Sequence, residues 1–417
     1  MSLFALLRDQ PRLIAFGLLF CFGSSLGQTF FISFFVPGFM QAFGLSQTGI
    51  AGVYAGITIA AAAGLAWAGR HIDRMDLSVY GALVCAFLGS GCFLLAGSWG
   101  LPALVAGLFM VRLGGQGLMS HVGMTAVARY FAARRGAAIA LAALGFPLGE
   151  ILLPLLTVGA IETLGWRLTY ALGGAALMVG VLPLALWLVR GEARFRDPAK
   201  AEARAKARGE TLPDADGAAD GPVGVMSAKA LWRSPLFLAL APAYVAAPFA
   251  VTALIFHQSA IAAERGVGLE VFAASFVLFG VAQIVFGTAA GPLADRFTAR
   301  ALFPLHLAPF AAGAALLALV PAAWAVPAYM TLMGVSSGFS ATLRTALIAE
   351  LVRPMELGAA RSSLTALMVL STALGPVAYG GLLALGWGSA GMLWTTVAVT
   401  LACSLVAVAA SARRAPG

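Results

Sequence analysis

Two ionisable side chains stand in stretches that are otherwise almost wholly apolar: Arg112, within Leu-Phe-Met-Val-Arg-Leu-Gly-Gly, and Glu150, within Phe-Pro-Leu-Gly-Glu-Ile-Leu-Leu. A guanidinium presents five N–H donors in a planar fork that suits an anion, and an enclosed carboxylate can take up and release a proton. Together they read as an anion-binding fork and a proton-titrating partner, joined directly or through a solute. Alternatively they form a static buried ion pair that ties two helices together. Gln28, with Ser24, Ser25 and Thr29 around it, either contacts solute hydroxyls and carboxylates or bonds across to other helices. His257 and Gln258 form a further polar pair in an apolar stretch, and Arg344 lies close enough to the end of its own to snorkel to water. His121, nine residues after Arg112, falls on the opposite helical face beside glycines and reads as a packed histidine.

The elements that hold these groups follow from composition. Of 417 residues, 61% are hydrophobic and only 10% charged, too few to cover the surface of a soluble core of this size. The net charge of +9 comes from short clusters between apolar runs and not from one basic stripe, so a membrane explains it better than nucleic acid. Soluble enzymes are excluded as well. The four cysteines, Cys21, Cys85, Cys92 and Cys403, all lie in apolar runs without metal-ligand spacing and read as packing residues; no metal or cofactor is expected.

A bilayer-crossing helix needs about 20 apolar residues. Twelve such helices are expected at roughly 13–41, 47–69, 77–97, 101–128, 137–160, 167–189, 235–262, 270–291, 301–320, 323–348, 358–384 and 389–411. The first run is too long for a cleavable leader and passes directly into the second span. Arg112 then lies ~25 Å and Glu150 ~21 Å from one membrane face, at 1.5 Å per residue. Lys and Arg number 22 in the loops and termini on that face and two on the other, Arg167 and Arg265. The positive-inside rule therefore expects both termini and the central segment 190–234 in the cytoplasm of an inner (plasma) membrane protein. That segment, basic and then acidic with Gly and Pro, reads as a tether between residues 1–189 and 235–417.

Gly69-x-x-x-Asp73-Arg74 recurs as Gly291-x-x-x-Asp295-Arg296, 222 residues later. Gly136-Ala137-Ala138 recurs at Gly358 with the same offset, and Leu164-Gly165-Trp166 at Leu385 with an offset of 221. Three matches in order, at equivalent places in a 6+6 layout, argue for a duplicated half, the architecture of alternating-access carriers.

On these residues the chain resembles the major facilitator superfamily over essentially its whole length. The resemblance rests on twelve spans, the central loop and the duplicated G-x-x-x-D-R signature. Arg112 with Gln116-Gly117 is similar to that family's span-four motif with one extra residue, and Gly375-Pro376 with Gly380-Gly381 is similarly one residue longer than the antiporter pattern. Tyr130-Phe131 with Arg135-Gly136 is similar to the monocarboxylate and oxalate/formate branch, whose usual arginine in span eight has no counterpart here. The resemblance implies an all-α fold of two six-helix halves. It also implies that Asp73 and Asp295, with Gly69, Arg74, Gly291 and Arg296, act as conformational latches; alternatively these are plain stop-transfer charges.

The expected function is secondary transport of a small solute by a monomer in the bilayer, as a proton-coupled organic anion symporter. Efflux of apolar or cationic compounds is the rival, favoured by the partial Gly-Pro motif and by 27 phenylalanines. A membrane-embedded enzyme or sensor is the remote alternative, because the four histidines are far apart. With no phosphate-binding loop, energy is expected from an ion gradient or from the solute itself.

Overall fold

The computed structural model describes residues 11–131, 135–190, 226–353 and 356–412. Most of the central tether, and the side chains of Asp73, Tyr130, Arg135, Gly358 and Ala359, lie outside the described residues.

Long apolar runs become helices because only a helix pairs every backbone group internally in hydrocarbon. Ten helical stretches of the described residues are long and apolar enough to cross a membrane. One of them, 136–189, is two spans that reverse at Gly165, whose φ of 77° a glycine adopts without strain. Ala325–Leu351, more polar but 27 residues long, completes twelve. The protein is thus an all-α membrane fold, as expected.

The chain divides into two compact units, one holding the described residues 11–44 and 56–190, the other 45–55 and 226–412. The first residues of span two, from Leu45 to Ala55, therefore count with the second unit. Large apolar side chains such as Phe16, Phe20, Phe35 and Tyr170 are buried in the first unit, and Phe237, Phe256, Phe272 and Tyr379 in the second. Many leucines and valines, among them Leu156, Val179 and Leu405, are exposed, as expected of flanks that face acyl chains.

The repeat is visible in the backbone. Gly165 and Gly386, both in the Leu-Gly-Trp matches, have φ of 77° and 79°. Span one breaks between Ser33 and Val36, and span seven breaks at His257, between Phe256 and Gln258; Phe35 and His257 are 222 residues apart.

Spans one, four and eight depart from the sequence expectation in ways that bear on the candidate residues. Span eight runs on to Phe297, so Asp295 and Arg296 end a helix and do not lie in a loop. Hydropathy marks where a helix leaves hydrocarbon, and the backbone hydrogen bonds continue beyond that point. Span one is four pieces: Pro11–Gly23, a 3₁₀ turn Ser24–Gly27, Thr29–Ser33 and Val36–Phe43. Span four contains a π-helical stretch, Arg112–Met119, between Leu101–Val111 and Ser120–Tyr130.

Candidate functional site

Span one is also broken nearer its start, at Ser24–Gln28, by residues that compete for backbone partners. Ser24 Oγ donates to the Cys21 carbonyl (2.6 Å), and Gln28 is extended at φ −78°, ψ 153°. This takes the Gly27 carbonyl out of the helical ladder in the middle of a span, where an unpaired polar group costs several kcal/mol in hydrocarbon. Arg112 supplies the donor. Its Nη1 donates to Gly27 O at 3.1 Å and to Thr29 Oγ1 at 3.3 Å, and the side chain is only 2% exposed. The arginine thus enters the site from the first residue of the π-helical stretch. Such stretches are rare and recur at functional sites.

The two irregular segments touch. A Cβ on Gly27 would lie 2.1 Å from Val111 O, and one on Gly115 would lie 2.7 Å from Gly27 Cα, so both positions require glycine. Span five closes the other side. A Cβ on Gly145 would meet Leu18 O at 2.3 Å, and one on Gly149 would meet Ser25 Oγ at 2.0 Å; these small residues one turn apart bring span five against span one. Glu150 follows immediately. Its Oε2 is shielded from solvent and has no hydrogen-bond partner among the described residues, and the same holds for Ser25 Oγ. Arg112, Gln28 and Glu150 are therefore all placed on the segments around the break in span one. Gln28 is half-buried, with Nε2 donating to Ser24 Oγ at 3.4 Å.

The other candidates lie in the second unit. His257 is fully buried at the break in span seven, with Nε2 2.8 Å from Pro376 O and Nδ1 3.3 Å from Gln47 Oε1, a residue of the same unit. Gln258 beside it is 2% exposed. Arg344, half-buried, places its guanidinium 5.7 Å from the centre of the Tyr244 ring.

At the first signature, residues Gly69–Asp73 form a 3₁₀ turn whose carbonyls are taken up by side chains of span four. His121 Nε2 is 3.2 Å from Gly69 O, with Thr125 Oγ1 3.4 Å from its Nδ1, and Arg129 Nη1 donates to Ile72 O. His121 is thus a packed histidine, as expected, although its α-helical phase relative to Arg112 does not hold through the intervening π-helical stretch. The side chain of Asp73 lies outside the described residues, and Arg74 is exposed. At the second signature Asp295 and Arg296 are exposed, Arg296 lies over the Phe297 ring at 5.1 Å, and a Cβ on Gly291 would meet nothing. Glu350 of span ten accepts from the backbone N–H groups of Ala299 and Arg300, just beyond this signature. The sequence reading missed Glu350; a carboxylate near the end of an apolar run was its only signal.

Most phenylalanines of span one, Phe35 and Phe39 among them, are buried. Phe35 stands 4.1 Å from Tyr170 between ring centres, and Phe39 meets Trp166 edge-on at 5.1 Å. Cys21, Cys85 and Cys92 are buried, and all four cysteines are free thiols.

A duplicated all-α membrane protein with a broken first span and a buried arginine beside it is built as a solute carrier. The family model of the Major Facilitator Superfamily matches residues 17–259 and again 240–417, and the chain belongs to that superfamily. It is therefore a multi-pass secondary transporter of a solute and not an enzyme. No curated protein matches the sequence. Among solved structures the chain is similar to the nucleoside transporter NupG (TM-score 0.72, 14% identity, covering 99% of this chain and 100% of that one). It is also similar to a bacterial homologue of the human lysosomal transporter Spinster (0.63, 15%, 97% and 95%). A POT family transporter in complex with 5-aminolevulinic acid is a third (0.66, 13%, 96% and 95%). At these identities the likeness shows the fold alone.

Proposed function

We propose that the protein is a proton-coupled symporter of a small organic anion, working by alternating access as a monomer in the inner membrane with both termini in the cytoplasm. The observation that carries this reading is the placement, around one broken span, of a buried arginine and of a carboxylate whose shielded Oε2 has no hydrogen-bond partner among the described residues. Arg112 binds the carboxylate of the solute, exchanging part of its bonding to Gly27 and Thr29 for two parallel N–H···O⁻ bonds. Glu150 carries the proton that balances the solute's charge. Gln28 contacts the solute from the extended point of span one, and His257, Gln258 and Arg344 are the second unit's own candidates for solute contact. Asp73 and Asp295, with Gly69, Arg74, Gly291 and Arg296, serve as latches made in one state of the cycle and broken in the other.

The test is uptake of a panel of labelled mono- and dicarboxylates, amines and apolar compounds into reconstituted vesicles under an imposed pH gradient of either sign. Accumulation of a carboxylate with inward proton flow, lost in Arg112→Gln, supports the reading. Gradient-driven expulsion of amines or apolar compounds alone would replace it with efflux.

A further inference from the structure

A cavity of about 430 Å³ lies within the second unit, at the end of its helices away from residues 235 and 412. Its walls include Glu264 and Arg265 after span seven, Leu319 and Pro321 at the end of span nine, and Trp387 and Ser389 at the start of span twelve. Backbone contacts fix the two charged groups. Glu264 Oε2 accepts the N–H of Ser389, and Arg265 Nη2 donates to the Val320 carbonyl. That bond uses one of the five guanidinium N–H donors. Burial also holds the Arg265 guanidinium below its ordinary value, as for a cation partly withdrawn from water. Two of the lining residues are large, apolar and open to the surroundings: Leu319 is 67% and Trp387 58% exposed. Exposed tryptophans at span ends mark the headgroup level of a bilayer.

We propose that this cavity binds the headgroup of a zwitterionic phospholipid with a primary ammonium, phosphatidylethanolamine. The phosphate pairs with Arg265, the ammonium with Glu264, and the glycerol and first methylenes lie along Leu319 and Trp387. A charged group of each sign held in one cavity selects a ligand carrying both. A phosphatidylglycerol headgroup lacks the cation for Glu264, and a choline headgroup has no N–H to donate to it. A soluble phosphoethanolamine ester shares the headgroup chemistry, but it would leave Leu319 and Trp387 uncovered.

Native mass spectrometry of the delipidated full chain, offered equal amounts of the ethanolamine, choline and glycerol phospholipids with matched chains, tests this. The expected result is one ethanolamine lipid retained about tenfold over the others, and a roughly tenfold fall in that retention in Arg265→Gln and in Glu264→Gln. Glutamine at 264 keeps an acceptor for Ser389; should that variant not fold, the half-buried Arg265→Gln decides alone. Equal retention of the three lipids, or unchanged retention in the folded variants, overturns the proposal. Displacement of the lipid by equimolar glycerophosphoethanolamine also overturns it, in favour of a soluble zwitterion.

Discussion

The two halves share a repeat and use it differently. At the offset of 222 residues, Arg112 corresponds to Gly334, Glu150 to Thr372 and Gly115 to Ser337. Span four carries its arginine at the start of a π-helical stretch against a broken span one, whereas span ten is one continuous helix, Ala325–Leu351. Where the first half places a buried guanidinium, the second has close packing: a Cβ on Gly334 would lie 2.4 Å from Phe279 O. Duplication thus supplied the scaffold twice, and the irregular backbone marks where the copies diverged in chemistry. A carbonyl released from a helix within a membrane needs a donor, so the break and the arginine belong together.

The largest effect that would test this asymmetry is at Arg112. Arg112→Gln should lower solute uptake at least about a hundredfold while the protein still folds, because glutamine retains a donor for Gly27 O. Arg112→Lys should recover little, since an ammonium cannot reproduce the two-pronged contact. The matching change, Gly334→Ala, should instead lower stability by about 1–3 kcal/mol through overpacking, with uptake per folded molecule nearly unchanged. Uptake assays normalised to folded protein, alongside unfolding in SDS, separate the two. If both substitutions act on uptake alone, or both on stability alone, the halves do not differ as described.

Gly115→Ala sharpens the same point from within the first half. It should weaken stability by a similar ~1–3 kcal/mol, and it should also depress uptake, because separating spans one and four moves Arg112 from the break. The clamp on the first signature should matter less. His121→Ala removes one hydrogen bond to Gly69 O, for about 0.5–1.5 kcal/mol of stability, whereas His121→Gln keeps a donor and should recover part of it. Asp295→Asn should have the smallest effect. A single exposed carboxylate near a helix end shifts a conformational population by up to about fivefold, read as cysteine accessibility from each face in a background without the native thiols.

Much of the fold was legible because hydrophobic length and repeat offsets are coarse signals that survive local irregularity. The Leu-Gly-Trp matches even mark two positive-φ glycines, since that conformation demands the residue type. The breaks were not legible: Ser24–Gly27 and Arg112–Met119 sit inside apolar runs, and hydropathy does not report which carbonyl meets which N–H. The signals present were Ser24-Ser25 with Gly23 and Gly27, and the Gly114-Gly115 pair, but nothing in their spacing says which backbone they meet. At the site, Arg112 and Glu150 stand out by charge alone. That Gly27 and Thr29 receive the arginine follows only from three-dimensional contact.

The central claim is that Glu150 carries the coupled proton in the half that also binds the anion. Two assays on one reconstituted variant, Glu150→Gln, measure this most directly: exchange of labelled for unlabelled carboxylate at equal pH on both sides, and net accumulation driven by a pH gradient. Exchange needs no net proton movement, so it should persist within a few-fold of the parent, while gradient-driven accumulation falls to the level of empty vesicles. Accumulation that still follows the pH gradient in Glu150→Gln would contradict the account and move the proton to another group.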